Sequence, residues 1–165
     1  MCYHTLCNNA NGGKTLMAEK KTVFLTGASG HMGWAGFKEL YSKKDKLNIV
    51  LLLRDSEKNR KKFANYLNDP SVKIVWGDLK KYDDVLKCVE GSDYVLHVGG
   101  MVSPSADYYP TKTIQTNTTA AKNIVDAVKA QPNKDDIKVV YIGTVAQTGD
   151  RNAPIHWART GDPIK

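Results

Sequence analysis

Three glycines at the spacing G-x-x-G-x-x-G follow directly after a short apolar run, in the segment V-F-L-T-G-A-S-G-H-M-G at 23–33. Gly27 lets the chain turn sharply, Gly30 lets the backbone approach a pyrophosphate, and Gly33 lets the following helix lie close to the strand. The start of that helix points free backbone N–H groups and its positive dipole end at the phosphates. Because a strand precedes the turn and a helical run at 34–42 follows it, the segment predicts the phosphate-binding turn of a dinucleotide-binding fold.

The rest of the chain alternates apolar runs with helical stretches. The runs predict five buried strands, at 22–26, 48–53, 72–76, 94–98 and 138–142, and the stretches between them predict helices near 32–43, 56–67, 81–90 and 112–130. Such alternation indicates a parallel sheet covered on both faces and joined by right-handed crossovers. We therefore expect an α/β fold, a Rossmann-type doubly wound parallel sheet of strand order 3-2-1-4-5 that is truncated after its fifth strand.

The composition is ordinary for a soluble globular protein, with 41% apolar and 25% charged residues among 165. No apolar run approaches the roughly 20 residues of a membrane-spanning helix, and no secretory signal stands at the N-terminus. We therefore expect a cytoplasmic protein with no membrane partner. The net charge of +7 comes from lysines spread over several helix faces without interleaved aromatic residues. This pattern favours solvated faces over a nucleic-acid interface, while the excess charge would attract an anionic ligand.

Residues 1–16 lack hydrophobic periodicity, and we expect a disordered leader there, followed by a single domain at 17–165. Met17 is the alternative start of the protein. The cysteines form an odd, widely spaced set, which indicates reduced thiols rather than a disulfide framework or a metal site. They are Cys2, Cys7 and Cys88.

Arg54 follows the second predicted strand, about 20 residues after the glycine turn, where an NAD-binding domain carries an acid for the ribose 2′-hydroxyl. An arginine at this place can instead meet a 2′-phosphate, so the sequence favours NADP over NAD. Lys58 and Arg60 come shortly afterwards and either join Arg54 or are solvated surface residues. Asp55 keeps NAD open, because its carboxylate would reach the ribose if the strand ended one residue later.

Asp78 and Leu79 follow the third predicted strand. At this position Asp78 would accept a hydrogen bond from the exocyclic amine of adenine, and Leu79 would pack on the adenine ring. The alternative is that Asp78 caps a helix beginning at Lys80. The two roles are geometrically compatible.

Five ordered motifs resemble the extended short-chain dehydrogenase/reductase family, which includes nucleotide-sugar epimerases, dehydratases and dihydroflavonol-type reductases. They are T-G-A-S-G-H-M-G at 26–33, G-D-L at 77–79, H-V-G-G at 97–100, T-N-T-T-A-A-K-N at 116–123 and V-V-Y-I-G-T at 139–144. The resemblance extends over 22–165. It implies a cofactor-binding domain of an NAD(P)-dependent oxidoreductase or epimerase whose chemistry is hydride transfer at the nicotinamide.

The resemblance assigns roles to residues after the fourth strand. Where the family ends that strand H-x-A-A, this chain has Gly99 and Gly100, which with Val98 would still let the backbone pass close to the cofactor. His97 is interpreted as a packed structural residue. Asn117, at the opening of the long helix, would lie near the cofactor ribose and the active site. A helix-capping or turn role is its equal alternative.

Thr144 stands where the family carries a serine or threonine that hydrogen-bonds the substrate oxygen, so the resemblance implies that it is catalytic. Many relatives have consecutive serines here, whereas Gly143 precedes Thr144 in this chain. The residues expected to contact the cofactor are Gly27, Ser29, Gly30, His31, Met32, Gly33, Arg54, Asp78, Leu79, Val98, Gly99, Gly100, Asn117, Ile142 and Gly143.

In the family, a tyrosine moves the proton at the substrate oxygen and a lysine four residues later lowers its pKa, about 25 residues beyond the hydroxyl. That position lies past Lys165, so we expect this chain to contain no such pair, to lack the substrate region, and to bind cofactor with little catalysis. The edge beside the fifth strand should then be uncovered, which makes a homodimer one expectation. A non-catalytic dinucleotide-binding or sensor module is the alternative function, and a mononucleotide or flavin is the remoter alternative ligand.

Overall fold

The computed structural model describes residues 19–144. The predictions for the leader at 1–16, for Cys2 and Cys7, and for the chain beyond Thr144 lie outside the described residues. Within them the elements are β1 (Lys21–Thr26), α1 (His31–Tyr41), β2 (Leu47–Leu53), α2 (Glu57–Phe63), a 3₁₀ turn (Ala64–Tyr66), β3 (Val72–Trp76), α3 (Tyr82–Val89), β4 (Tyr94–His97), α4 (Ser105–Tyr108), α5 (Pro110–Lys129) and β5 (Lys138–Tyr141).

The strands of the described residues form one parallel sheet in the order β3-β2-β1-β4-β5. The predicted Rossmann-type parallel sheet and its strand order are confirmed for the described residues. The register aligns Thr26 with Leu52 on one side and with His97 on the other. The carboxyl ends of β1, β2 and β4 therefore meet at one edge, where open α/β sheets bind their ligands.

Two hydrophobic clusters cover the faces of the sheet, and alternate side chains of β1 and β2 point into each. One cluster lies against α1 and α2, and its buried residues are Leu25, Ala28, Phe37, Ile49, Leu51, Leu53, Phe63 and Val72. The other lies against α3 and α5, and its buried residues are Phe24, Val50, Leu52, Val85, Cys88, Val89, Val95, Ile124, Ala127 and Ile137. The central strands thus anchor both layers.

Burial keeps the one described cysteine unreactive. Cys88 is a free, buried cysteine within the second cluster, and burial raises the pKa of its thiol to about 12. The thiol is therefore protonated near neutral pH and packs as a small apolar side chain.

The fifth strand differs from the sequence prediction of a buried strand. All four residues of Lys138–Tyr141 are exposed, although three of them are apolar or aromatic. Continuous apolar character normally marks a strand covered on both faces, but the helices of residues 19–144 leave β5 exposed. Exposed Val139, Val140 and Tyr141 leave this edge of the described sheet as an apolar surface.

Candidate functional site

A pocket of about 650 Å³ opens at the carboxyl edge of the sheet. The residues that line it include thirteen of the predicted cofactor contacts, which are Gly27, Ser29, Gly30, His31, Met32, Gly33, Arg54, Asp78, Leu79, Val98, Gly99, Gly100 and Asn117. The other three predicted site residues, Ile142, Gly143 and Thr144, follow β5 and do not line this pocket.

Several pocket residues were not among the residues predicted from the sequence to contact the cofactor. They are Leu52, Gly77, Lys80, Met101, Val102, Lys112, Thr116 and Ala120. The last three recur every fourth residue along α5, so they share one face of that helix. This spacing is a sequence signal for them, since it marks one stripe of α5, and Thr116 and Ala120 also lie within the T-N-T-T-A-A-K-N motif at 116–123.

The geometry of the turn requires glycine at two of its three positions. Gly27 has φ +73°, and a Cβ built on it would lie 2.7 Å from the Cα of Gly99. A Cβ on Gly33 would lie 2.0 Å from the carbonyl oxygen of Gly27, which is far inside van der Waals contact. The first turn of α1 therefore lies directly against the backbone of the turn.

The N-terminus of α1 is left open towards the pocket. Gly30 is its N-cap, no side chain makes a capping hydrogen bond there, and the first turn has no acidic residue. The first N–H groups of a helix have no intrahelical acceptor, so those of His31, Met32 and Gly33 are available to a ligand. Aligned N–H groups at a helix N-terminus bind anions.

A buried threonine joins two strand ends beneath the turn. The hydroxyl of Thr26 lies 2.8 Å from Nδ1 of His97 and accepts a hydrogen bond of 2.9 Å from the backbone N–H of Gly99. His97 is 4% exposed, and its burial lowers its pKa, so the imidazole is neutral at physiological pH. The network fixes Gly99 against the turn, and His97 is a packed structural residue as predicted.

Asn117 holds the loop after β4. It lies about two turns into α5, which begins at Pro110, so the interpretation that Asn117 opens or caps the helix is wrong. Its Oδ1 accepts a hydrogen bond of 2.8 Å from the N–H of Met101, and its Nδ2 donates one of 3.0 Å to the carbonyl of Met101. The side chain thus pairs with a single backbone residue at the wall of the pocket.

We expect Asn117→Ala to lower the free energy of unfolding by about 1–3 kcal/mol, because it leaves both backbone groups of Met101 without their partner. Urea denaturation measures this loss. Gln115→Ala is the matched control, since Gln115 is exposed on the same helix and its replacement should change stability by less than about 0.5 kcal/mol. Equal effects of the two substitutions would contradict the role given to Asn117.

Two of the charged residues after β2 form an ion pair with each other, and a third lines the pocket. The strand ends at Leu53, Arg54 lines the pocket, and Asp55 binds Arg60 through two hydrogen bonds of 2.6 and 2.8 Å. The guanidinium of Arg60 also lies 4.8 Å from the ring centroid of Trp76 and holds the pKa of Asp55 below its usual range. Asp55 and Arg60 therefore neutralise each other.

Asp78 shapes the loop after β3 but does not cap a helix. Its Oδ1 accepts a hydrogen bond of 2.9 Å from the backbone N–H of Lys80, and α3 begins only at Tyr82, with Lys81 at the N-cap. The capping interpretation is therefore wrong. The carbonyl of the adjacent Leu79 accepts a hydrogen bond of 2.8 Å from Asn123 on α5, which fixes Leu79 at the pocket wall.

The spacing Tyr-x-x-x-Lys does occur in this chain, at Tyr108 and Lys112, contrary to the expectation that it is absent. The pair precedes Thr144 instead of following it, and the two residues lie in different helices, α4 and α5. Tyr108 is 78% exposed, and Lys112 lines the pocket. This pair does not occupy the position of the family's catalytic tyrosine and lysine.

None of the helices in residues 19–144 combines the length and apolar character needed to cross a bilayer. No group of three or more histidine, cysteine or acidic side chains in the same part of the chain is arranged to hold a metal ion.

Comparison with known protein sequences gives a match over most of the chain. The sequence model of the NAD dependent epimerase/dehydratase family matches residues 23–164. A UDP-glucose 4-epimerase of Rickettsia bellii is 32% identical over 128 residues, which are 75% of this chain and 36% of that protein. The corresponding protein of Rickettsia felis is 30% identical over the same shares of both chains. The chain thus spans about a third of the length of the curated relatives it matches.

Solved structures share the same architecture. The UDP-Glc/GlcNAc 4-epimerase of Campylobacter jejuni has a TM-score of 0.70 at 16% identity, covering 88% of this chain and 43% of that one. The Bordetella bronchiseptica enzyme WbmH in complex with NAD+ has a TM-score of 0.68 at 21% identity, covering 89% and 46%. At these identities the likeness establishes the fold.

Proposed function

Because the chain belongs to the NAD dependent epimerase/dehydratase family, we propose that it is the cofactor-binding part of an NAD(P)-dependent oxidoreductase or epimerase that works by hydride transfer. The resemblance drawn from the motifs is confirmed at the level of the family. The observation that carries the proposal is the open N-terminus of α1, packed so closely on the turn that Gly33 has no room for a side chain. This geometry suits a pyrophosphate.

Different pocket residues are placed to contact the pyrophosphate, the adenine and the rest of a pyridine dinucleotide. The backbone N–H groups of His31, Met32 and Gly33 would hold the pyrophosphate, and Asp78 would accept the adenine amine. The backbone of Gly99 and Gly100 is bare enough for close approach of the cofactor, since neither residue carries a side chain. We propose that Ile142 and Gly143 contact the nicotinamide half, beyond the part that the pocket encloses.

In this proposal Arg54 binds the phosphate at the 2′-position of the ribose. Arg54 lines the pocket and forms no ion pair with any described carboxylate, whereas Asp55 is already paired with Arg60. An unpaired guanidinium favours a phosphate, while an available carboxylate would favour a ribose hydroxyl. NADP is therefore the proposed cofactor, in preference to NAD.

A bound nicotinamide would supply the hydride donor or acceptor of the reaction. This chain's part is to bind and orient it, and we propose that the hydroxyl of Thr144 hydrogen-bonds the reacting oxygen of the substrate. The similarity to UDP-glucose 4-epimerases of Rickettsia and to the UDP-Glc/GlcNAc 4-epimerase of Campylobacter jejuni supports a nucleotide sugar as the substrate class. A reductase of the dihydroflavonol type is the second candidate for the activity of the whole protein.

The direct test is a titration of the 165-residue protein with NADPH, excited at the tryptophan band and read at the dinucleotide emission. Trp34 lies in the first helix after the turn and Trp76 ends β3, so both are donors near the predicted site. We expect saturable transfer with NADPH, weaker binding of NADH and none of FAD. A folded protein that binds neither dinucleotide would overturn the proposal, and a preference for a flavin or mononucleotide would replace it.

A further inference from the structure

Both methionines of residues 19–144 lie at the pocket on the carboxyl edge of the sheet. They are Met32 and Met101, and each lines that pocket. Neither packs against the two hydrophobic clusters that cover the sheet. Met32 is 65% exposed, whereas Met101 is half-buried. Met32 therefore contributes little to the hydrophobic core, and solvent reaches this residue.

Met32 is also more accessible than the other sulfur-bearing residues of the described chain. Cys88 is fully buried, and its raised pKa keeps the thiol protonated. Met101 is held by two hydrogen bonds between its backbone and Asn117. A thioether needs no deprotonation before it is oxidised, so its oxidation depends on whether an oxidant reaches the sulfur. Among the sulfur-bearing residues at 19–144, Met32 is therefore the one that we expect a dissolved oxidant to reach first.

Met32 stands in the first turn of α1, next to the N–H groups that are open to the pocket. The N-cap Gly30 makes no side-chain hydrogen bond, and the first turn contains no acidic residue. Side chains with an acceptor oxygen in the first turn bond to such N–H groups, as glutamate and glutamine do in capping boxes. The sulfur of methionine is only a weak acceptor, so an unmodified Met32 leaves these groups to a ligand.

Oxidation reverses this property of the side chain. Hydrogen peroxide transfers one oxygen atom to the thioether, so a sulfur–oxygen bond forms while the O–O bond breaks. The sulfur loses two electrons, and the second oxygen of the peroxide leaves as water. The product is a polar sulfoxide, whose oxygen carries partial negative charge. Such an oxygen is stabilised at a helix N-terminus, where it competes with the pyrophosphate for the same N–H groups.

We propose that Met32 is a redox-sensitive modification site, and that its oxidation by hydrogen peroxide weakens binding of the dinucleotide at the N-terminus of α1. This inference rests on the proposed function and adds a regulation of the same site. A bound dinucleotide covers the pocket that Met32 lines, so it should slow the oxidation. Methionine sulfoxide reductases restore the thioether, which makes the modification reversible.

The test treats the 165-residue chain with hydrogen peroxide until peptide mass spectrometry shows Met32 as the sulfoxide. The peroxide is then removed, and dithiothreitol is added to reduce oxidised thiols, which leaves the sulfoxide in place. We expect NADPH to bind about tenfold more weakly, which corresponds to about 1.4 kcal/mol. The urea midpoint should stay unchanged, because Met32 lies outside the core. Treatment with MsrA and MsrB, one for each sulfoxide epimer, should restore the affinity.

Two variants assign the effect to one sulfur. Met32→Leu keeps an apolar side chain without a sulfur atom, so peroxide should leave its NADPH affinity unchanged. Met101→Leu is the matched control, because it removes the other methionine of the pocket and keeps Met32. It should lose affinity about tenfold on oxidation, as the wild type does. Saturating NADPH during the peroxide treatment should slow the appearance of the Met32 sulfoxide in both Met101→Leu and the wild type.

The remaining outcomes are distinguishable. If Met32→Leu loses as much affinity as the wild type, another residue carries the effect and the inference is wrong. A protein with Met32 fully oxidised and NADPH affinity unchanged would overturn it as well, while leaving the dinucleotide proposal intact. An untreated, folded protein that binds neither NADPH nor NADH would instead remove the proposed function, and this inference with it.

Discussion

Gly33→Ala is expected to destabilise the protein by about 3 kcal/mol or more and to abolish dinucleotide binding. The added Cβ would lie 2.0 Å from the carbonyl oxygen and 2.4 Å from the carbonyl carbon of Gly27, and both are backbone atoms that no rotamer change can move. Helix α1 must therefore shift away from the turn, which moves the N–H groups of its first turn out of position. Urea denaturation measures the stability loss, and energy transfer to NADPH measures the binding loss.

Gly36→Ala is the control for this result. Gly36 lies on the same helix, one turn later, and a Cβ built on it meets no atom within 4 Å. Alanine there should raise stability by about 0.5–1 kcal/mol, because glycine is a poor residue for a helix interior. Binding should be unchanged. If Gly33→Ala melts and binds like the wild type, the close packing of α1 on the turn is wrong.

The fold was largely predictable because its signals are local. The apolar runs of β1, β2 and β4 are nearly continuous and separated by helical stretches, which indicates parallel strands covered on both faces. Strand β3 carries an exposed Lys73 and has only Val72 buried, so its predicted burial was wrong. Strand β5 has the same apolar character, but its residues are exposed in the described part of the chain. An apolar run indicates that a strand tends to be buried, but it does not indicate which part of a protein buries it. The short helix α4 was missed because four residues carry almost no periodicity.

The parts of the site that are formed by backbone atoms were predictable from the sequence. Gly27 and Gly33 are required by φ and by contact distance, and a spacing pattern can express both requirements. Side-chain partners were not predictable in this way. Lys62 meets Ser29 across 33 positions of sequence, and Asn117 meets Met101 from the middle of a helix. Both contacts depend on how separate helices pack on the sheet, which no local pattern encodes.

Arg54→Asp is expected to weaken NADPH binding by about 10- to 100-fold while leaving NADH binding equal or stronger. Removing a charged donor from a phosphate forfeits about 1.5–3 kcal/mol, and each 1.4 kcal/mol corresponds to a factor of ten. The new carboxylate would repel the 2′-phosphate but would accept a hydrogen bond from a ribose 2′-hydroxyl. Parallel titrations with NADPH and NADH measure the change as a ratio of two Kd values, which cancels any general loss of active protein.

Lys61→Asp is the matched charge reversal. It changes the net charge by the same amount, at a residue of α2 that is exposed and does not line the pocket. Its effect on NADPH should be small and should fade with added salt, because exposed charges act over about 10 Å at 0.1 M ionic strength. The Arg54 effect should persist at that salt concentration, since direct contact with a phosphate is screened less. If Arg54→Asp leaves NADPH affinity intact, the 2′-phosphate lies elsewhere and the preference for NADP loses its main support.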